Sequence, residues 1–170
     1  MQKTQNLVKA ALCLSLCMLL PFITGQIPEL GSMFLPMHIP VILSGFFCGK
    51  KWGLAVGAIA PILRSTLFGR PVMFPMAVCM MFELAVLGFA AGLLYEKLPA
   101  KKSSVYLSLV VAIILGRVMF SLASFVFMGV EKGLWFYMAG AVTGGYPGLI
   151  IQLILIPILV LALKQYTVRA

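Results

Sequence analysis

The chain has 170 residues and a mean hydropathy of +1.11; 62% of its residues are hydrophobic and only 10% are charged. That is too little charge to cover the core of a water-soluble domain, so the bilayer is the solvent that suits this composition. The net charge of +9 would suggest nucleic acid in a soluble protein; here it is read as the Lys and Arg that collect in the cytoplasmic loops of membrane proteins, with no nucleic-acid partner.

The first apolar run predicts a helix over 7–23, after Lys3 and Lys9. It resembles the start of a signal peptide, but no small-x-small cleavage site stands out near Thr24 and the following chain is also membranous. It is therefore read as a retained helix that Pro21 bends or ends. Residues 25–36 are rich in turn formers (Gly25, Pro28, Gly31, Ser32, Pro36) yet semi-apolar, which predicts a loop folded over a bundle. A short helix over 37–49 ends at Lys50 and Lys51, and the next spans 52–68 with Pro61 inside. Arg70-Pro71 is a break, followed by helices over 72–95, 105–128 and 137–164, the last with Gly144-Gly145-Tyr146-Pro147-Gly148 near its start. The reading is a single all-α domain over 1–170, a bundle of six transmembrane helices. No repeat relates its halves.

Orientation follows from the basic residues. With the N-terminus inside, Lys3, Lys9, Lys50, Lys51, Lys97, Lys101, Lys102, Lys164 and Arg169 are cytoplasmic, and Arg70 and Lys132 are external. Nine against two places both termini in the cytoplasm of a multi-pass protein of the bacterial plasma membrane.

Three ionisable residues fall inside the spans: Arg64, Glu83 and Arg117. Each costs about 2.5–3.5 kcal/mol in hydrocarbon, so such residues face a cavity or one another. Glu83 and Arg117 sit near mid-membrane on neighbouring antiparallel helices. They form either a structural ion pair or, with Arg64, the wall of an outward-facing substrate cavity. The three sum to one positive charge, which suits a ligand with one carboxylate held by an Arg fork. His38, at the outer start of its helix, and Gln152, inside the last, are further candidates for ligand contact or for packing. Tyr146 and Trp135 fit an aromatic belt or stacking on a flat ligand. Small residues recur four apart: Ala11 and Ser15, Gly53 and Gly57, Gly88 and Gly92, Gly144 and Gly148. They permit close helix contacts, and the first pair is the one considered for a partner protein.

Chemistry of other kinds lacks its residues. The chain has no Asp and one His, so a metal site of several His and carboxylates cannot be assembled, and no Ser lies in a nucleophile elbow. Cys13, Cys17, Cys48 and Cys79 lie in apolar runs and read as small packing residues. No phosphate-binding glycine loop is present, so work driven by ATP needs a partner. A membrane enzyme is disfavoured, no cofactor is expected, and a self-sufficient small transporter or channel is the main alternative to a binding subunit.

The stretch from Leu35 to Gly57, an apolar helix ending in Gly, a short basic turn and then Gly-x-x-x-Gly, resembles the S components of energy-coupling factor (ECF) vitamin transporters. Phe82-Glu-Leu-Ala with Gly88, Gly92 and Tyr95 resembles another helix of that family. The resemblance implies a subunit that captures a water-soluble vitamin at the outer face and works with a transmembrane T subunit and two ATPases. It implies that the loop at 25–36 helps cover the ligand, and that Ala11-x-x-x-Ser15 meets the T subunit, with Ser15 departing from the usual Ala. Among such vitamins the charge of the cavity and the look of the sequence favour pantothenate, with biotin and niacin also carboxylates.

Overall fold

A computed structural model describes residues 2–23, 34–99 and 101–169. Among these the protein is all α, with no strand. Seven α-helices follow in order among the described residues: α1 (Gln2–Ile23), α2 (His38–Cys48), α3 (Lys50–Phe68), α4 (Val78–Lys97), α5 (Lys102–Met128), α6 (Gly133–Thr143) and α7 (Tyr146–Arg169). Among the described residues, four stretches are long and apolar enough to cross a membrane: Lys3–Phe22, Met73–Lys97, Lys102–Met128 and Tyr146–Leu163. Side chains on the outside of the bundle are apolar as well, among them Leu12, Leu19, Val126 and Ile158. A protein greasy on both surfaces of its helices is a membrane protein, with lipid as its outer contact.

The helices run up and down. Asn6 reaches the Cys48 carbonyl at 3.5 Å and the Cys17 thiol reaches the Met37 carbonyl at 3.7 Å, so α1 and α2 are antiparallel. Gly49, at φ 90°, turns α2 directly into α3, a conformation in which a Cβ is penalised. Gly53 of α3 lies backbone to backbone against Gly88 of α4, and Gly57 lies against the Leu84 carbonyl. Gly45 of α2 packs on Gly88 and Gly92 of the same helix. Two of the Gly-x-x-x-Gly spacings expected to allow close contact, 53/57 and 88/92, thus lie at the centre of the fold, where α4 is flanked by α2, α3 and α5, whereas Gly144 is exposed in the α6–α7 turn. Eight of the eleven residues of α2 are buried. At about 16 Å it is too short for a hydrocarbon layer of about 30 Å, but neighbouring helices surround it, so little of it needs to meet lipid.

Two boundaries differ from expectation. The helix predicted over 137–164 is two helices, α6 and α7, parted by a turn at Gly144 and Gly145. Pro147 explains the correction: it lacks an N–H and its ring collides with the carbonyl four residues back, yet it is well accommodated in the first turn of a new helix. The start of the predicted 72–95 helix is instead a single π-type turn, Met73–Ala77, with Phe74 extended before Pro75. Elsewhere the ends shift by a few residues, and α1 passes through Pro21 to Ile23. The expected loop at 25–36 lies outside the described residues up to position 33.

One end of the bundle is basic. It gathers Lys3 and Lys9 of α1, Lys50 and Lys51 at the α2–α3 turn, and Lys97, Lys101 and Lys102 between α4 and α5. Glu96 ties this end together: its carboxylate accepts from the Lys50 backbone N–H at 3.2 Å and pairs with Lys50 Nζ at 2.9 Å. An acid at the start of α3 also suits the positive pole of that helix.

Candidate functional site

The site is built around one buried acid on the central helix. Glu83 is 2% exposed, on the face of α4 turned toward α2 and α5. Its Oε1 lies 3.2 Å from His38 Nε2 at the start of α2 and 3.0 Å from Arg117 Nη1 on α5. Three helices thus meet on a single carboxylate oxygen. A buried carboxylate is tolerated only when paired, and here its partners come from positions 45 and 34 residues away in sequence.

The pairing leaves capacity over. Arg117 Nη2 and His38 Nδ1 are buried without a hydrogen-bond partner among the described residues. Arg117 Nη2 points at the break between α6 and α7: a Cβ built on Gly145 would stand 3.1 Å from it and 3.0 Å from Leu35 Cδ1. Leu35 itself adopts a left-handed backbone, φ 50°, and its carbonyl accepts from the His38 N–H at 3.0 Å. A non-glycine residue in that region costs about 1–2 kcal/mol, and such strain concentrates at binding sites.

From Gly145 the inner stripe of α7 continues through Gly148, Gln152, Ile156 and Val160, all buried. Gln152 is 0% exposed and both ends of its amide lack a partner. Arg117 likewise begins a stripe on α5: Ser121 and Ser124, four and seven residues on, are buried on the same face. Ser121 donates to the Arg117 carbonyl at 2.8 Å, and Cys79 of α4 lies beside Ser124. These two serines were missed in the sequence, although polar residues at i, i+4 and i+7 of an apolar helix are a readable signal.

Arg64 is elsewhere. It is 4% exposed, and its Nη1 donates to the Met18 carbonyl of α1 at 2.8 Å. Its guanidinium stands 5.5 Å from the Phe22 ring and 5.4 Å from the Phe68 ring, which themselves meet edge to face at 5.1 Å. The register that sets Gly53 on Gly88 and Gly57 on Leu84 brings Arg64 level with Ala77. That is six residues, about 9 Å, nearer the non-basic end than Glu83. No carboxylate among the described residues is within ion-pair reach of it.

Residues 5–160 match the profile of one family, described as ECF transporter, substrate-specific component. The chain belongs to that family. No curated protein and no solved structure matches it. As an ECF substrate-specific component it is the substrate-binding subunit of a membrane transporter rather than an enzyme. In this S component Ala11 and Ser15 lie exposed on the outer side of α1, where the Ser15 hydroxyl turns back to the Ala11 carbonyl at 3.0 Å. Tyr146 is exposed beside Gly145, and Trp135 of α6 is 82% exposed.

Proposed function

We propose that this S component captures a small water-soluble vitamin bearing one carboxylate, pantothenate foremost, beside the Glu83–His38–Arg117 cluster at the outer side of the membrane. The observation that carries the reading is the unpartnered second nitrogen of Arg117: Glu83 occupies one arm of the fork and leaves the other to an incoming anion. Arg64 supports it by adding a positive charge, on the outer side of Glu83, for which the described residues hold no carboxylate. The basic end is cytoplasmic by the positive-inside rule, and α1 to α5 with α7 make six crossings with both termini inside. Tyr146 borders the mouth of the site beside Gly145. The exposed face of α1 with Ala11 and Ser15, continued by a shallow groove at Thr4, Gln5, Val8 and Lys9, is where a T subunit docks, and two ATPases supply the energy.

The test is accumulation of radiolabelled pantothenate by membrane vesicles. The chain alone should bind it without accumulating it, and co-expressed T and ATPase subunits should restore ATP-dependent uptake. Uptake by the chain alone would instead make it a self-sufficient transporter, and absence of binding would remove pantothenate.

A further inference from the structure

The cluster at Glu83 accounts for a carboxylate, but it leaves a second polar group unexplained. Gln152 is completely buried, and neither its amide oxygen nor its amide nitrogen finds a partner among the described residues. It lies seven residues beyond Gly145, two turns of α7, so it shares the face on which Arg117 Nη2 rests. The separation along the helix is about 10 Å, and helical side chains lean toward the helix start, which brings the amide back toward Arg117. Beyond Gln152 the same stripe becomes Ile156 and Val160, both members of the apolar core. Gln152 is therefore the last polar side chain on this stripe before the core.

We propose that Gln152 is the floor of the ligand site and a specificity-determining residue: the substrate is an extended carboxylate that enters with its uncharged end first. Its carboxylate stays at Arg117, and an amide or hydroxyl several bonds away meets the Gln152 amide. This rests on the reading of Arg117 as the carboxylate subsite. A primary amide both donates and accepts, so it matches an uncharged hydroxyl or amide and offers no compensation for a second charge. A ligand ionised at both ends would set its inner charge against Gln152 and the apolar side chains behind it, where an unpaired charge is strongly disfavoured. The site thus admits monocarboxylates with a neutral polar tail and rejects their phosphorylated forms.

The experiment is equilibrium binding of pantothenate and of 4′-phosphopantothenate to the purified full-length chain, its Gln152→Leu variant and its Arg117→Met variant, with thermal unfolding of each ligand-free protein. Leucine removes two unpartnered polar atoms at little change in volume, so the ligand-free Gln152→Leu protein should unfold at the same temperature or higher. Its affinity for pantothenate should fall by about tenfold or more, the effect of losing one buried hydrogen bond. The wild-type chain should bind the phosphorylated compound at least about tenfold more weakly than pantothenate. If Gln152→Leu binds pantothenate as tightly as wild type while Arg117→Met does not, the floor assignment is wrong and the carboxylate subsite stands. A Gln152→Leu protein that is destabilised before any ligand is added makes Gln152 a packing residue, and equal binding of the phosphorylated form also overturns the proposal. A wild-type chain that binds neither compound overturns this proposal and removes pantothenate as the ligand.

Discussion

Two arginines inside this bundle, Arg64 buried and Arg117 nearly so, sit on neighbouring layers and are held in opposite ways. Arg117 is matched to a carboxylate, with one nitrogen on Glu83 and the other without a partner at the Gly145 break. Arg64 is matched to a main-chain carbonyl and two aromatic faces, at the seam between α1 and α3. The first arrangement is electrically neutral and incompletely hydrogen-bonded. The second retains its charge but encloses it with packing. Burial alone therefore does not mark a binding residue; what matters is the donor capacity that folding leaves unused.

The comparison can be broken most forcefully at Arg117. Arg117→Met strands Glu83 in the core with His38 alone, and a broken buried pair costs about 3–5 kcal/mol. Thermal or denaturant unfolding in detergent should show that loss, and Glu83→Leu in the same chain should recover most of it without restoring binding. Arg64→Met removes a carbonyl bond and two ring contacts but strands no acid among the described residues. Its expected cost is smaller, about 1–3 kcal/mol, with α1 loosened from α3 and more readily cleaved by protease near Phe22. Gly145→Ala sharpens the picture from the other side. Its methyl meets Leu35 and Arg117 Nη2 at 3.0–3.1 Å, so ligand affinity should fall severalfold while stability shifts by about 1 kcal/mol or less. At the basic end, Glu96→Gln should cost under about 1 kcal/mol, with the effect shrinking in high salt, because that pair is more than a third exposed.

Much of this was readable from the residues. The intramembrane charges pointed to Glu83 and Arg117 as partners, and their pairing is what the helices bring about. The glycines at 53, 57, 88 and 92 announced the close packing that sets the α3–α4 register. The α6–α7 break was harder to see, because an apolar run continues through Gly144 and Gly145 and periodicity is blind to a turn whose flanks are equally greasy. His38 met Glu83 through the parallel packing of α2 on α4, a relation that spans 45 positions and leaves no local signature. Arg64 was expected to share the wall of an outward-facing cavity with the other two charges, from a level nearer the outer end of its helix. Its place was decided by Phe22 and Phe68, apolar residues that hydropathy counts as membrane filling and does not distinguish from any other.

The most direct test is the affinity of the purified chain for pantothenate, measured side by side for Arg117→Met and Arg64→Met. Removing the charge that faces Glu83 should weaken binding by at least about thirtyfold, while removing the one between the phenylalanines should weaken it by less than about tenfold. The reverse order, with Arg64 indispensable and Arg117 dispensable, would contradict the account.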